Sequence, residues 1–548
     1  MTFRSAALLL PLAAAGCATT APAPPAPGPV AAGPTPTALA DPELVQRYQA
    51  TITPGELAGL LYTYADDYLA GRDTGEPGQR FAALFLAGQY AAMGVEPHGT
   101  SVAMGAGDGA GNYGLDGYLQ PFELEQKSLR RLGVTVGRDG ATVLARETTA
   151  DDVSGAVLVP AYGEVEGGPA APVVFVGDGQ SLGGLDLDGA YAVMVPTEDQ
   201  QATRGALAAL QGAGVAAAVL ATVPAASALQ PQATRAFGAG RLALPELAAD
   251  ADEDAGGLPT ILFMGQDTVA ELMAAAGVEA GADGAYPLGD TGLTLALDAD
   301  YQTETVETEN VVAFVEGSDP ALKDEVVVIS AHLDHVGDDG DGPDAIYNGA
   351  DDDGSGTVTI LEIAEAFEAA KADGHGPRRS VLFLHVTGEE KGLLGSEFYA
   401  DRQPLVPIED TAANLNIDMI GRYDPERGFD TTDYVYIIGG DLISQDISDW
   451  NAAVNETTGT GLLLSDRFNS PDDPNQFFRR SDHWNFGKYD VPFIFYFTGT
   501  HEDYHGVGDS ADKIDYDRMA RIGRLIFGTA WEIANRDERP AVSGVGFN

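Results

Sequence analysis

The chain has 548 residues, which is long enough for two or more structural units and a large hydrophobic core. Its 44% hydrophobic and 21% charged residues are typical of a folded protein, while 68 glycines and 32 prolines predict many loops. The 30 basic and 83 acidic side chains give a formal net charge of −53. Such a surface repels phosphate backbones, so nucleic acid is excluded as a partner.

The first forty residues predict the location of the protein. Arg4, an apolar stretch over residues 6–15 and small residues before Cys17 are typical of a signal peptide, and the stretch is too short to span a bilayer. The segment LAAAGC at 12–17 is similar to a bacterial lipobox. We therefore expect an exported lipoprotein that faces the periplasm or the cell exterior and contacts the membrane only through a lipid on Cys17. An ordinary cleaved signal peptide is the alternative.

Cys17 is also the only cysteine, which excludes internal disulfides, thiolate zinc clusters and a cysteine nucleophile in the folded body. Any metal must therefore be held by histidines and carboxylates. Residues 18–40 consist almost wholly of Ala, Pro, Thr and Gly, a composition that predicts an extended tether between the lipid anchor and the folded part.

Three regions follow the tether. Residues 41–124 have apolar side chains at helical spacing, which predicts two or three helices. Residues 125–299 carry short β-rich runs, Gly-rich turns and an Ala-rich segment, so they are interpreted as a separate small α/β or β-rich domain. Residues 300–548 alternate short apolar runs with amphipathic helical segments. This pattern predicts the α/β class, with an open, mainly parallel (mixed) sheet and helices on both faces.

Acidic and imidazole side chains follow the predicted strands of the last region at the points where these strands end. They are His332 with Asp334, Glu389 with Glu390, Asp418, His501 with His505, and the acidic turn NGADDDGSG at 348–356. Since ligands of open α/β sheets gather at the carboxyl ends of the strands, these groups are expected to share one crevice.

The charge of this cluster indicates metal ions. Each group by itself has an ordinary explanation, such as a solvated loop or capping of a helix N-terminus. Together they supply imidazoles and several carboxylates without a neighbouring lysine cluster, and that excess of negative charge requires cations. Two divalent ions about 3.5–4 Å apart that share one carboxylate ligand are typical of hydrolytic sites.

Six motifs occur in a fixed order along this region: AHLDH, NGADDDGSG, TGEEKGLLGS, NIDMIG, SDHW and DYHGVGDSADKID. Through these motifs and their order, the chain resembles peptidase family 28 of the metallopeptidases, the co-catalytic two-zinc aminopeptidases. Within that family it is similar to the subgroup with an inserted protease-associated domain. The segments GRDTGEPGQR and YLQPFEL are similar to the N-terminal part of that family, and residues 125–299 resemble the insert more weakly. The resemblance implies a zinc-exopeptidase-like fold and two Zn²⁺ as cofactors.

The resemblance also implies roles for individual residues. The two ligand sets share one bridging carboxylate: His332, Asp351 and Asp418 for one zinc, and Asp351, Glu390 and His505 for the other. Glu389 would be the general base, and Asp334 would orient the imidazole of His332. His501 competes with His505 as a ligand, and the family spacing favours His505. His335 and His483 lie inside matched motifs. The pattern fits a packing role for them as well as it fits a place in the site.

These inferences predict a zinc-dependent exopeptidase that acts on peptides, with an aminopeptidase as the first choice. A carboxypeptidase or dipeptidase of the glutamate carboxypeptidase type is an alternative, for which Arg422, Arg479 and Arg480 are candidate carboxylate anchors. Glutaminyl cyclase, which uses one zinc, is a further alternative. A non-catalytic binding protein on a peptidase scaffold is the alternative outside the enzymes.

Overall fold

The structure is a computed structural model that describes residues 39, 41–103, 114–162, 165, 167–197, 199–238, 240–245, 259–282, 284–338 and 344–544. The predicted signal peptide (1–17) with Cys17, and the tether (18–40) apart from Leu39, lie outside the described residues. The chain divides into two compact units. The smaller unit is Leu124–Val306, and the larger unit is formed by the chain on both sides of it.

The described residues form twelve α-helices. They are α1 (Pro42–Gln49), α2 (Pro54–Tyr64), α3 (Pro77–Met93), α4 (Thr100–Ala103), α5 (Gln200–Gly212), α6 (Gln230–Gly238), α7 (Gln266–Ala276), α8 (Gly356–Ala372), α9 (Leu394–Glu397), α10 (Gln445–Thr457), α11 (His483–Gly487) and α12 (Tyr516–Asn535). None of these helices is both long and apolar enough to cross a membrane.

The same residues form sixteen strands. They are β1 (Glu96–Pro97), β2 (Leu119–Arg138), β3 (Ala141–Thr149), β4 (Leu158–Tyr162), β5 (Ala171–Gly177), β6 (Tyr191–Met194), β7 (Ala217–Val223), β8 (Arg241–Ala243), β9 (Ile261–Gly265), β10 (Gly289–Val315), β11 (Val326–His332), β12 (Ser380–Val386), β13 (Thr411–Ile417), β14 (Tyr434–Gly439), β15 (Leu463–Ser465) and β16 (Phe493–Phe497).

The sheet of the larger unit has the strand order β15, β14, β16, β13, β11, β12 and the end of β10. Strands β12, β11, β13 and β16 are parallel to one another, whereas β10 is antiparallel to β12 and β14 is antiparallel to β16. The carboxyl ends of the four parallel strands therefore meet at one edge, where the strands are followed by the predicted histidine and carboxylate side chains.

Alternating residues of the central strands are buried on opposite faces of this sheet. In β11, Val327 and Ile329 belong to a core with helices α8 and α12, whereas Val326 and Val328 pack against Tyr399 on the other face. A strand buried on both faces is apolar at most positions, which is why VVVI at 326–329 is a continuous apolar run. The predicted α/β class, with a mainly parallel mixed sheet covered on both faces, is confirmed.

The smaller unit has an α/β arrangement of its own. Strands β5, β6, β7 and β9 are parallel neighbours in that order, and β4 pairs with β9 in the antiparallel direction. Strands β2 and β3 form a hairpin. Separate hydrophobic cores lie on the two faces of the parallel strands, with Val219 in one and Leu220 in the other. The sequence pattern predicts a separate domain at 125–299, and the compact unit spans Leu124–Val306.

One buried carboxylate of the larger unit lowers its stability at neutral pH. Glu362 on α8 is 4% exposed, and its Oε2 has no hydrogen-bond partner. Burial, together with the nearby Glu56 and Glu365, raises the pKa of Glu362 from 4.5 to about 8. The folded state thus holds a proton that the unfolded state releases near pH 4.5, and stability falls as pH rises from there to about 8.

Replacing Glu362 with Gln is therefore expected to stabilise the protein at pH 8 by about 1–3 kcal/mol and to have no effect at pH 4. Urea unfolding of both proteins at the two pH values measures this difference. Glu409→Gln, at an exposed carboxylate, is the matched control. Equal stability of wild type and Glu362→Gln at pH 8 would contradict the assignment.

Candidate metal centre

The parallel strands bring side chains from distant parts of the sequence to one edge of the larger unit. His332 is the last residue of β11, Asp418 follows β13 directly, and Glu389 and Glu390 follow β12 after two residues. His505 lies in the loop after β16. These strands are parallel neighbours, so their carboxyl ends meet, and the predicted crevice exists.

Asp352 lies between two imidazoles at the centre of this crevice. Its Oδ1 is 3.2 Å from Nε2 of His332, and its Oδ2 is 3.1 Å from Nε2 of His505. Asp418 Oδ1 lies 3.8 Å from the same nitrogen of His332. On the other side, Oε2 of Glu390 is 3.0 Å from Nε2 of His505. One carboxylate therefore faces two separate groups of donor atoms, one through each oxygen.

The donor atoms fit divalent metal ions. His332, Asp352 and Asp418 offer ligand atoms that all lie within 4.8 Å of one another, and so do His335, Asp352 and Glu390. The Nε2 atom of His332 and Oδ2 of Asp352 are buried without a hydrogen-bond partner, a costly arrangement that a bound cation would satisfy. Imidazole nitrogens and carboxylate oxygens at this spacing are the donor set that zinc takes when no cysteine is available.

The three consecutive aspartates of the turn Ala350–Ser355 point in three directions. Asp351 was expected to be the bridging ligand from the family resemblance, but it has other partners. Its Oδ1 accepts hydrogen bonds from the backbone N–H groups of Gly421 and Arg422. Its Oδ2 lies 3.2 Å from Nε2 of His501. Asp353 accepts backbone hydrogen bonds through both oxygens. The structure therefore places Asp352, one residue later, where Asp351 was expected.

The two histidines of the loop after β16, His501 and His505, also have different surroundings. His505 reaches the crevice, and its backbone is in the left-handed region with a φ of +51°. Burial opposes the charged form of its ring, but the close carboxylates of Asp352 and Glu390 outweigh burial and raise the pKa of His505 to about 10. The carboxylates thus attract positive charge strongly. His501 lies behind the crevice, where it contacts Asp351.

Glu389 lies beside the donor atoms without belonging to either group. Its Oε2 is 4.0 Å from Nε2 of His332, and the side chain lines the cavity that opens from the crevice. Burial, with the repulsion of Asp418 and Glu390, raises the pKa of Glu389 well above its ordinary value despite the attraction of His332. A carboxylate that binds a proton readily at this place is suited to move one.

Asp334 holds the backbone around His332. The imidazole Nδ1 is 3.1 Å from the backbone oxygen of Asp334 and 3.7 Å from its carboxylate, so the predicted neighbour is present and the nearer acceptor is the carbonyl. The carboxylate of Asp334 accepts from the hydroxyl of Thr74 and from the backbone N–H of Glu389. Asp334 therefore joins the loops that carry His332 and Glu389.

A buried arginine that the sequence reasoning did not single out supports two of these loops. Arg72, 1% exposed, donates to the backbone oxygens of Leu333, Asn348 and Gly349. It thereby ties the loop after His332 to the turn that carries Asp352. Arg72 lies in the motif GRDTGEPGQR, and its match to the family segment was the one signal that could have pointed to it.

The cavity beside Asp352 is lined by both apolar and polar side chains. Met419, Phe477, Phe495 and Phe497 form its walls, and Glu389, Asp418 and His505 line the side that faces the metal-binding atoms. Tyr504 and Arg480 also line it, with Nη2 of Arg480 3.4 Å from the hydroxyl of Tyr504. Burial raises the pKa of Tyr504 well above its ordinary value, so its hydroxyl stays protonated and can donate a hydrogen bond.

The three arginines proposed as carboxylate anchors differ in their surroundings. Arg422 forms ion pairs with Glu502 and Asp503, and Arg479 lies exposed over the ring of Trp484. Arg480 stacks on Phe477, 5.0 Å from the ring centre, and no carboxylate of the described residues forms an ion pair with it. Of the three, only Arg480 lines the cavity.

Comparison with known proteins agrees with this site. Residues 310–530 match the profile of Peptidase family M28. A probable zinc metalloprotease of Pyricularia oryzae is 29% identical over 264 residues, 42% of this chain and 50% of that protein. A probable leucine aminopeptidase of Arthroderma otae is 30% identical over 222 residues, 39% of this chain and 56% of that protein. The matched part of the chain thus spans about half the length of these relatives.

The structural comparison extends beyond the matched region. An aminopeptidase from Aneurinibacillus sp. strain AM-1 superposes with a TM-score of 0.51 and 17% identity, covering 92% of this chain and 99% of its own. At that identity the likeness concerns the fold. The expected α/β architecture is confirmed, and residues 310–530, less than half of the chain, match the model of peptidase family M28.

Proposed function

We propose that this protein is a zinc-dependent aminopeptidase that removes N-terminal residues from peptides. The observation that carries this proposal is the position of Asp352, whose two oxygens face two separate groups of histidine and carboxylate donors at 3.1–3.2 Å. This arrangement is suited to a pair of ions. The names of the relatives, a probable leucine aminopeptidase and a probable zinc metalloprotease, support the same reaction class.

The ligand sets that we propose follow the geometry. One zinc would be held by His332, Asp352 and Asp418, and the other by Asp352, Glu390 and His505. Two bound zinc ions would polarise the scissile carbonyl and make a water molecule more acidic. The four carboxylates Asp352, Glu389, Glu390 and Asp418 would then balance the charge of two divalent cations, which explains why so many acidic groups tolerate burial together.

Glu389 would handle the protons of the reaction. It lies next to the ligand atoms but has no place in either set, so its carboxylate is free to take a proton from the attacking water. The protonated Glu389 then gives this proton to the leaving amine, which restores the carboxylate. The hydroxyl of Tyr504, which stays protonated and lines the same cavity, is placed to donate a hydrogen bond to the substrate.

The cavity walls favour substrates with an apolar first residue. The rings of Phe477, Phe495 and Phe497 and the side chain of Met419 offer apolar surface beside the metal-binding atoms. The free ammonium group of a peptide would be attracted to Glu389 and Asp418, which line the other side. A neutral, acetylated N-terminus would lose that attraction.

The experiment that tests the proposal uses one short peptide with leucine at its N-terminus in three forms: free at both ends, N-acetylated and C-terminally amidated. The zinc-loaded protein is expected to release leucine from the free and the amidated peptides and to leave the acetylated peptide intact. A chelator should abolish both cleavages. Cleavage of the acetylated peptide at the same rate as the free peptide would refute the aminopeptidase assignment.

A carboxypeptidase or dipeptidase is the second candidate, because Arg480 lies in the cavity without an ion-pair partner among the described residues. A guanidinium group at this place could bind a terminal carboxylate, and it forms paired hydrogen bonds with carboxylates more readily than lysine does. The peptide series separates the two candidates: a carboxypeptidase is blocked by C-terminal amidation and tolerates N-acetylation.

We also propose that the protein is an exported lipoprotein and that the unit Leu124–Val306 is a protease-associated insert. The lipobox-like LAAAGC motif supports the first statement, and the position of the unit within the peptidase chain supports the second. In bacterial cells, the wild-type protein is expected in the membrane fraction and the Cys17→Ser variant in the soluble exported fraction. Equal membrane association of both would refute lipidation of Cys17.

A further inference from the structure

A third imidazole lies next to the two proposed ligand sets. His335 is fully buried, and its Nδ1 is 2.8 Å from Oε1 of Glu390. The other oxygen of Glu390, Oε2, is the one that lies 3.0 Å from Nε2 of His505. The two oxygens of Glu390 are therefore divided between two histidines, one on each side.

The contact between His335 and Glu390 has the length of a hydrogen bond. Donor atoms that share one zinc ion, each at about 2.0–2.2 Å from it, lie roughly 3–3.5 Å from one another. The contacts of His505 with Asp352 and Glu390, at 3.1 and 3.0 Å, fall in that range. The 2.8 Å contact of His335 is shorter. Since a carboxylate only accepts, Nδ1 carries the proton and donates it to Glu390.

The ring of His335 is held firmly in this position. Its backbone N–H donates to the carbonyl of Arg72 at 3.1 Å. Gly349, with a φ of +55°, lies directly against the imidazole, and a Cβ atom at that position would be 2.6 Å from the ring carbons. The ring of His505 stands edge-on to that of His335 at 5.8 Å between centres. The imidazole thus has little freedom to turn away from Glu390.

We propose that His335 is a positioning residue for the second zinc, the ion assigned above to Asp352, Glu390 and His505. This inference rests on the proposed two-zinc site. The Nδ1–H of His335 donates a hydrogen bond to Oε1 of Glu390, which leaves only Oε2 directed toward Asp352 and His505. A carboxylate fixed through one oxygen presents the other in a single orientation, and the ion then binds without first ordering the side chain. His335 itself is not a ligand in this arrangement.

The test compares two substitutions of His335 with a matched control. Asn places an amide N–H close to the position of the imidazole Nδ1–H, whereas Leu fills similar space without a donor. His375→Leu removes an exposed histidine that follows the C-terminal end of α8, and it is the control. Zinc is titrated into the chelator-treated full-length proteins, and the number of bound ions and both dissociation constants are measured. Circular dichroism of the same samples shows whether each variant is folded.

Wild type, His375→Leu and His335→Asn are expected to bind two zinc ions with similar affinities. In His335→Leu, the second zinc is expected to bind about 10- to 100-fold more weakly, while the first is unaffected. Substitution of cobalt for zinc gives a spectroscopic readout: the absorption bands of His335→Asn should match those of wild type. Changed bands in this variant, together with weaker binding, would make His335 a ligand and overturn the proposal.

Two other outcomes are separated by the same data. Unchanged zinc binding in His335→Leu would show that the hydrogen bond to Glu390 has no positioning role. If wild type binds no zinc, the proposed function fails as a whole, and that result is visible before any variant is compared. Because the readout is metal binding, it does not depend on the choice between aminopeptidase and carboxypeptidase.

Discussion

Replacing Glu389 with Gln is expected to lower kcat by about 10²- to 10⁴-fold while both zinc ions remain bound. Gln has nearly the same shape but cannot accept a proton from water at neutral pH. Glu389 contributes to neither proposed ligand set, and its Oε2 lies 4.0 Å from His332 Nε2. The loss should therefore appear in turnover with little change in metal content.

The matched comparison is the neighbouring residue. Glu390→Gln removes a charge from a side chain whose oxygens contact His335 and His505 at 2.8 and 3.0 Å, and it is expected to lose zinc as well as activity. Zinc content by elemental analysis and kcat on a leucine-terminated peptide are measured for both variants. If Glu389→Gln retains more than a tenth of wild-type kcat, Glu389 does not transfer the proton.

The second large effect distinguishes two adjacent aspartates. Asp352→Asn is expected to reduce the bound zinc from two ions to one or none and to abolish measurable turnover. The reason is that one carboxylate faces both donor groups, so its substitution weakens both sets at once. Asn retains one acceptor oxygen and cannot place a negative charge between His332 and His505.

Asp351→Asn is the control for this prediction, because its side chain has the same size and is one residue away. Its oxygens contact backbone N–H groups of Gly421 and Arg422 and the ring of His501, so the variant should retain both zinc ions with affinities within about tenfold of wild type. Equilibrium zinc titration measures both variants. Loss of zinc in Asp351→Asn and its retention in Asp352→Asn would restore Asp351 as the bridge.

The sequence could predict the general location of the site because the rule behind it is topological. Continuous apolar runs indicate strands buried on both faces, such strands are parallel when helices separate them, and parallel strands end at one edge. His332, Glu389, Asp418 and the 501–505 loop each follow such a run. Their meeting in one crevice follows from this rule before any side-chain distance is known.

The identity of the bridging residue could not be predicted in this way. In a run of three aspartates, the composition does not show which one points into the crevice. The backbone of the turn Ala350–Ser355 decides it by directing Asp351 to His501, Asp352 to the crevice and Asp353 to backbone N–H groups. A shift of one residue in a tight turn changes the direction of the side chain completely.

The chain by itself thus determined the α/β class, the general position of the proposed site, the restriction of its donor groups to histidines and carboxylates, and the strand ends that carry them. Only the tertiary structure decided that Asp352 lies between the imidazoles, that Arg480 alone of three arginines lines the cavity, and that Arg72 and His335 support the loops. The first group depends on periodicity and residue type, which are local properties of the sequence. The second depends on contacts between residues up to about 280 positions apart, whose partners are chosen by packing.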